Sequence, residues 1–106
     1  MLKTNSILKK KQEALFLLCE QNGVLRLYAF GSVLRKDFNK KSDIDLIIEL
    51  SQEDPIERGE MMLSLWDKFE LLFDRKVDLL SNKPIRNPYL AKEIESTKQL
   101  IYERAS

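Results

Sequence analysis

Apolar positions along the chain change their spacing several times, and each change predicts a new element of secondary structure. Between residues 6 and 21 they recur every three or four positions, which predicts an amphipathic helix that stops at Gly23. From 24 to 30 and from 42 to 50, short runs of aliphatic, β-branched and aromatic residues predict two strands. The apolar side chains of the second strand alternate with a face made of Asp43, Asp45, Ile47 and Glu49.

Two pairs of residues in the second half of the chain predict helix starts. Asp54-Pro55 and Asn87-Pro88 each combine a capping side chain with a proline at the first helical position. The first pair predicts a helix that ends near Phe73. Its apolar stripe consists of Met62, Leu65, Trp66, Phe69, Leu72 and Phe73.

A strand pattern follows the first of these helices at residues 75 to 80. Residues 99 to 102 either extend the last helix or form a short edge strand, and the pattern Leu100-Ile101-Tyr102 weakly favours the strand. Helices and strands thus alternate along the whole chain. The order predicts an α+β fold with two layers, in which a small mixed β-sheet of three to four strands is backed by helices. At 106 residues, the chain is long enough for one core, and we expect a single domain over residues 1–106.

Composition excludes several classes of protein. There is no histidine, which removes histidine bases, histidine metal ligands and serine-histidine-aspartate chemistry. Three glycines are too few for a Walker A loop or a dinucleotide-binding fingerprint. A net charge of +1 argues against general nucleic-acid binding. No apolar run is long enough to span a bilayer, so no membrane association is expected.

The single cysteine, Cys19, rules out an internal disulfide and suits a reducing compartment, so the expected location is the cytoplasm. It shares a helical stripe with Leu15 and Leu18. A buried thiol is therefore expected rather than a nucleophile.

Candidate chemistry comes from three aspartates. Asp43 and Asp45 are two apart on a strand, so both project from one face with Cα atoms about 6–7 Å apart. Two such charges repel each other unless a cation lies between them, and carboxylate oxygens suit Mg²⁺ or Mn²⁺. If Asp78 lies on the neighbouring strand, it completes a site for two metals about 3.5–4 Å apart. Such a site moves a nucleotide from a triphosphate to an acceptor hydroxyl, and Asp78 is the better candidate to accept the hydroxyl proton.

A glycine turn ten residues before the aspartates supplies the expected contacts to the triphosphate. Gly31 has no Cβ, so its backbone can approach phosphate oxygens, and Ser32 adds a hydroxyl at the start of a short helical segment over 33–36. Arg35 lies within reach of the same phosphates. The predicted nucleotide-binding residues are Gly31, Ser32 and Arg35, together with Ser42, which directly precedes the first aspartate.

Gly31-Ser32 together with Ser42-Asp43-Ile44-Asp45-Leu46 resembles the glycine-serine and aspartate-x-aspartate signature of the DNA polymerase beta-like nucleotidyltransferase superfamily. The small size resembles the minimal nucleotidyltransferases (MNT), the antitoxin type represented by MntA. The resemblance implies the nucleotidyltransferase fold, with Asp43, Asp45 and Asp78 as catalytic metal ligands and Gly31 with Ser32 at the triphosphate. It also implies a HEPN-domain toxin as partner, inactivated when AMP is added to a tyrosine. Lys36 departs from the glycine that is common at its position.

Two functions remain open at this point. The first is a Mg²⁺- or Mn²⁺-dependent enzyme that transfers AMP from ATP to a hydroxyl of a partner protein, since 106 residues leave little material for a second substrate pocket. The alternative is an antitoxin that neutralises its partner by contact alone. A small-molecule transferase and a purely structural protein are less favoured. Either function admits a homo- or hetero-oligomer.

Overall fold

The chain forms four helices, a short 3-10 helix and four strands, seen here in a computed structural model that describes residues 6–34, 39, 41–81 and 87–105. Within that part of the chain the elements follow in order. They are α1 (Ser6–Lys10), α2 (Gln12–Gln21), β1 (Val24–Phe30), the 3-10 helix (Gly31–Leu34), β2 (Ile44–Leu50), α3 (Pro55–Phe73), β3 (Val77–Ser81), α4 (Pro88–Thr97) and β4 (Gln99–Glu103).

The four strands form one mixed sheet in the order β3-β2-β1-β4. Strand β1 is central and antiparallel to both β2 and β4, whereas β2 and β3 run parallel and are joined by α3. A parallel pair needs a crossover of this kind, and a 19-residue helix supplies it. The predicted mixed sheet backed by helices is confirmed, including β4 as an edge strand.

The core lies between one face of the sheet and the helices α1, α2 and α3. Strand β1 contributes Leu27 and Ala29 to this face, and β2 contributes Ile44, Leu46 and Ile48. The helices cover them with Leu8, Leu15, Cys19, Leu65, Phe69 and Phe73. Among the described residues, no helix is long and apolar enough to cross a membrane.

Both predicted caps are present. The side chain of Asp54 accepts a hydrogen bond from the Glu57 amide at 3.0 Å and starts α3. The side chain of Asn87 accepts from the amides of Tyr89 and Leu90 at 3.0 and 3.3 Å and starts α4. Each cap satisfies amides that have no partner inside their helix.

One predicted helix is divided, and two predicted strands have other bounds. The helix expected over 6–21 is divided at Lys11, whose φ of −99° and ψ of 10° depart from helical values. Strand β2 begins at Ile44 and not at residue 42, because the residues before it form a loop. Strand β3 covers Val77–Ser81 and not 75–80, because Asp74 takes the left-handed conformation (φ 52°) and the chain is still turning at Arg75.

The segment after β1 is a 3-10 helix that already begins at Gly31, whereas the sequence predicted a start at Ser32. Its predicted extension over residues 35 and 36 lies outside the described residues.

Candidate active site

Parallel pairing of β2 and β3 brings two of the predicted aspartates together. Asp45 is the register partner of Asp78, and their neighbours Ile44 and Val77 pair in the same way. Ile44 and Val77 are fully buried in the core, so the two aspartates project from the opposite face, where both are half-buried. The condition set for Asp78, a place on the strand beside Asp45, is met.

The third aspartate lies just outside this ladder. Asp43 directly precedes β2, two positions before Asp45, and is also half-buried. The ladder itself starts with the amide of Ile44, which donates to the carbonyl of Lys76 at 3.1 Å. Asp45 and Asp78 are thus held by β-sheet hydrogen bonds, whereas Asp43 is carried by the preceding loop.

The three carboxylates suit a divalent cation in donor chemistry, and they lie at one end of the sheet. All are hard oxygen donors at one end of a parallel strand pair, the type of ligand that Mg²⁺ and Mn²⁺ bind. Their side chains are not gathered into one ligand set, since no group of three acidic or cysteine side chains in the described part of the chain is arranged to hold a metal ion.

Gly31 lies against Asp45, and two features of its position favour glycine. Its φ is +72°, a left-handed conformation that residues with a Cβ rarely adopt. A Cβ on Gly31 would also stand 2.5 Å from Oδ2 of Asp45, closer than any ordinary contact. The sequence assigned Gly31 to the approach of a phosphate. In the structure, the same missing Cβ makes room for the Asp45 carboxylate.

Of the other three predicted nucleotide-binding residues, Ser32 and Ser42 lie in described segments and Arg35 does not. Ser32 belongs to the 3-10 helix that opens beside Asp45. The Ser42 hydroxyl accepts from the Asn39 amide at 3.1 Å, and the Ser42 amide donates to the Asn39 carbonyl at 3.0 Å, which closes the loop before β2. Arg35 and Lys36 lie outside the described residues, so the role of Arg35 stays a prediction.

A cleft of about 680 Å³ opens beside Gly31 and Asp45. This volume is in the usual range for ligand pockets. One side comes from β1 and the 3-10 helix, through Phe30 and Leu34. The other side comes from α4, through Leu90, Glu93, Ile94 and Thr97.

Sequence reasoning did not place α4 at the site. The available signal was the Asn87-Pro88 start, which locates the helix along the chain but not in space.

Side chains of α3 hold the start of β3, which carries Asp78. The indole Nε1 of Trp66 donates to the carbonyl of Val77 at 2.6 Å, and the carboxylate of Glu70 accepts from the Val77 amide at 3.0 Å. The two residues are four apart and share one face of the helix. The sequence pattern places Trp66 on the apolar stripe of α3 and does not single out Glu70.

Cys19 does not line this cleft and matches its prediction as a buried thiol. It lies in α2 and is fully buried in the core. Burial, with a smaller contribution from the nearby charge of Glu20, raises the pKa of the Cys19 thiol to about 12. A thiol with such a pKa is a poor nucleophile at neutral pH.

Comparison with known proteins identifies the family of the chain. The family described as Polymerase beta, Nucleotidyltransferase matches residues 4–106. Two proteins of Methanocaldococcus jannaschii, MJ1379 and MJ0128, are each 34% identical to the chain over 96 residues, spanning 91% of the chain and 90% of the relative. Their names give protein adenylyltransferase as a provisional assignment.

Solved structures share the fold. A structure provisionally named a minimal nucleotidyltransferase has a TM-score of 0.63 and 26% identity, with 92% of this chain and 95% of that chain covered. A toxin-antitoxin structure with AMP-PNP has a TM-score of 0.59 at 21% identity, covering 89% and 73% of the two chains. A complex of a tri-AMPylated Shewanella oneidensis HEPN toxin with an MNT antitoxin has a TM-score of 0.54 at 20% identity, covering 91% and 72%.

The predicted enzyme class, a nucleotidyltransferase resembling the protein adenylyltransferases, is confirmed by these relatives. The fold agrees with that of the structure provisionally named a minimal nucleotidyltransferase. The chain therefore belongs to the polymerase beta nucleotidyltransferase family.

Proposed function

We propose that this chain transfers AMP from ATP, with Mg²⁺ or Mn²⁺, to a hydroxyl group of a partner protein. One observation carries the proposal. Gly31, Asp45 and Asp78 come from three adjacent strands or their ends and meet at one end of the sheet, beside a cleft large enough for a nucleotide. Residues 1–106 act in this proposal as one domain.

Each residue has a defined task in the proposed reaction. Asp43, Asp45 and Asp78 would hold the divalent cations, which would supply positive charge near the triphosphate. The backbone at Gly31, with Ser32, Arg35 and Ser42, contacts the phosphates. The acceptor oxygen bonds to the α-phosphorus as the bond from that phosphorus to the β-phosphate oxygen breaks. Pyrophosphate leaves, and the carboxylate of Asp78 accepts the hydroxyl proton.

A HEPN-domain toxin is the proposed partner, which makes this chain an antitoxin. Support comes from the relatives named as protein adenylyltransferases and from the likeness to an antitoxin solved with a tri-AMPylated HEPN toxin. At 20% identity that likeness concerns the fold, so the partner itself is an inference. A cytoplasmic location, suggested by the single cysteine, belongs to the same proposal.

A second candidate is an antitoxin that acts by contact alone. The observation in its favour is that the same fold occurs in an MNT antitoxin solved in complex with a HEPN toxin. Under this reading the nucleotide site is vestigial or regulatory, and the partner is neutralised whether or not AMP is transferred.

Labelled ATP distinguishes the two candidates. The purified chain is incubated with α-labelled ATP and Mg²⁺, with and without the protein encoded next to it. We expect label on the neighbour and none after Asp43→Asn or Asp45→Asn. Asp67→Asn, at an exposed position of α3, is the matched control and should leave labelling intact. If the Asp45→Asn variant transfers no label but still suppresses the activity of the partner fully, neutralisation by contact is established instead.

A further inference from the structure

Arg75 connects the loop before β2 with the turn before β3, the two segments that lead into the strands near the acidic residues. Nη1 of Arg75 donates to the carbonyl of Asn39 at 3.0 Å and to the carbonyl of Ser42 at 3.1 Å. Arg75 is half-buried and lies in the turn between α3 and β3. A charged donor that serves two backbone carbonyls makes a strong link between segments that are 33 and 36 residues apart.

The turn that carries Arg75 is itself held rigidly. On its N-terminal side, Asp74 ends α3 in the left-handed conformation. On its C-terminal side, Trp66 and Glu70 bind both backbone groups of Val77. Arg75 is therefore anchored to the same unit that carries Asp78, three residues further along the chain.

Of the three carboxylates, Asp43 is the one whose position depends on the link that Arg75 makes. Asp45 and Asp78 are set side by side by the β2–β3 ladder, which begins at Ile44. Asp43 precedes that ladder, and its backbone position depends on the loop that ends at Ser42. The Ser42 carbonyl and the Asp43 amide belong to one planar peptide group, so holding this carbonyl in place also holds the start of the Asp43 backbone in place.

We propose that Arg75 is a positioning residue of the nucleotidyltransferase site, which sets the distance between Asp43 and the Asp45–Asp78 pair by holding the Ser42 carbonyl against the α3–β3 turn. Arg75 touches neither nucleotide nor metal in this proposal and acts through the backbone. The proposal rests on the proposed function insofar as the three carboxylates bind a divalent cation together.

The main test removes the donors of Arg75 and keeps its stem. Arg75→Met retains an unbranched apolar side chain that can pack where the arginine stem lies. Arg75→Lys restores a charged nitrogen with enough donors for both carbonyls. Arg58→Ala is the matched control, since Arg58 is also half-buried but lies near the other end of α3, in a cleft with Leu50 and Ser81.

Two readouts are taken for each variant. The first is Mn²⁺ affinity in the presence of AMP-PNP, from the electron paramagnetic resonance signal of free Mn²⁺. The second is the rate of AMP transfer at varied ATP and Mg²⁺. For Arg75→Met we expect Mn²⁺ affinity and kcat each to fall about tenfold or more, the range seen when residues that orient metal ligands are removed. KM for ATP should stay within about threefold, and excess Mg²⁺ should restore part of the rate.

Rescue and control complete the design. Arg75→Lys should recover Mn²⁺ affinity to within about threefold of wild type, and Arg58→Ala should bind Mn²⁺ as wild type does. A folded Arg75→Met with wild-type Mn²⁺ affinity would overturn the proposal, as would a folded Arg75→Lys no better than Arg75→Met. If Arg75→Met does not fold, Arg75→Gln takes its place, because its short neutral head cannot reach both carbonyls.

The two proposals fail in different ways. A wild-type chain that binds Mn²⁺ with AMP-PNP but labels no acceptor contradicts the proposed function, while a loss of Mn²⁺ affinity in Arg75→Met still supports the positioning role. A wild-type chain that transfers AMP, with Mn²⁺ affinity unchanged in Arg75→Met, contradicts the positioning role alone.

Discussion

Replacing Gly31 by alanine tests the contact between the glycine turn and Asp45. The added methyl group would meet Oδ2 of Asp45 at 2.5 Å, Cγ at 3.5 Å and Cβ at 3.8 Å. Since ordinary contacts of a Cβ begin near 3.4 Å, the carboxylate oxygen must retreat by about 1 Å. The alanine must also take a φ of +72°, which costs about 1 kcal/mol or slightly more.

We expect Gly31→Ala to lower the free energy of unfolding by about 2–3 kcal/mol in total. In a domain of this size each kcal/mol shifts Tm by roughly 4 °C, so Tm should fall by about 10 °C. The rate of AMP transfer should fall about 100-fold even where the variant is fully folded, because a displacement of 1 Å in a catalytic group costs that much.

The Asp45→Ala background separates the two causes. Without Oδ2 and Cγ, the nearest remaining atom of residue 45 is Cβ at 3.8 Å, an ordinary contact. Gly31→Ala should then cost only the backbone term of about 1 kcal/mol, which gives a coupling energy of about 1–2 kcal/mol between the two positions. Urea unfolding followed by the fluorescence of Trp66, the one tryptophan of the chain, measures all four proteins.

Gly59→Ala is the matched control, because a Cβ at Gly59 meets nothing within 4 Å. This exposed helical position should gain up to about 1 kcal/mol on the same substitution. The reasoning is refuted if Gly31→Ala unfolds at the wild-type urea concentration and transfers AMP at the wild-type rate. It is also refuted if Gly31→Ala costs as much in the Asp45→Ala background as in the wild type.

Three further predictions concern the scaffold. The thiol of Cys19 should react with iodoacetamide at pH 8 about 100-fold or more slowly in the native protein than in urea, since it is reached only by unfolding. The native pKa of the Cys19 thiol, about 12, lies above its ordinary value of 9.0, so between these pH values only the unfolded chain loses the proton. Native stability should therefore fall from pH 9 towards pH 12, and Cys19 should not affect it below pH 9. Rapid native labelling would contradict both statements. Trp66→Phe should cost about 1–2 kcal/mol by leaving the Val77 carbonyl without its indole donor, whereas Leu63→Ala, at an exposed position of the same helix, should change the free energy of unfolding by less than about 0.5 kcal/mol in urea titration. Asp74→Gly should raise the free energy of unfolding by about 0.5–1 kcal/mol because glycine suits a φ of 52°, and a lowered Tm would show that the aspartate side chain stabilises the turn.

Elements defined by short-range chemistry were predictable. Strand β1 covers the residues 24–30 that its composition and flanking glycines indicated, and α3 starts after the Asp54 cap and ends at Phe73 as its pattern predicted. One error fell where long-range contacts take part. The predicted strand at 75–80 included Arg75, which lies instead in the turn that begins at Asp74. The guanidinium of Arg75 binds the carbonyls of Asn39 and Ser42, a long-range contact that the local sequence does not indicate.

The amino-acid sequence by itself determined the elements, the fold class and the identity of the candidate carboxylates, because side-chain periodicity, helix caps and the spacing of glycine and aspartate are local properties of the chain. The tertiary structure alone decided that Asp45 stands in register with Asp78, that Gly31 must lack a Cβ to admit the Asp45 carboxylate, and that α4 forms a wall of the cleft. These facts depend on strand order and register. Pairing and packing set them between segments tens of residues apart, and no local preference encodes such distances.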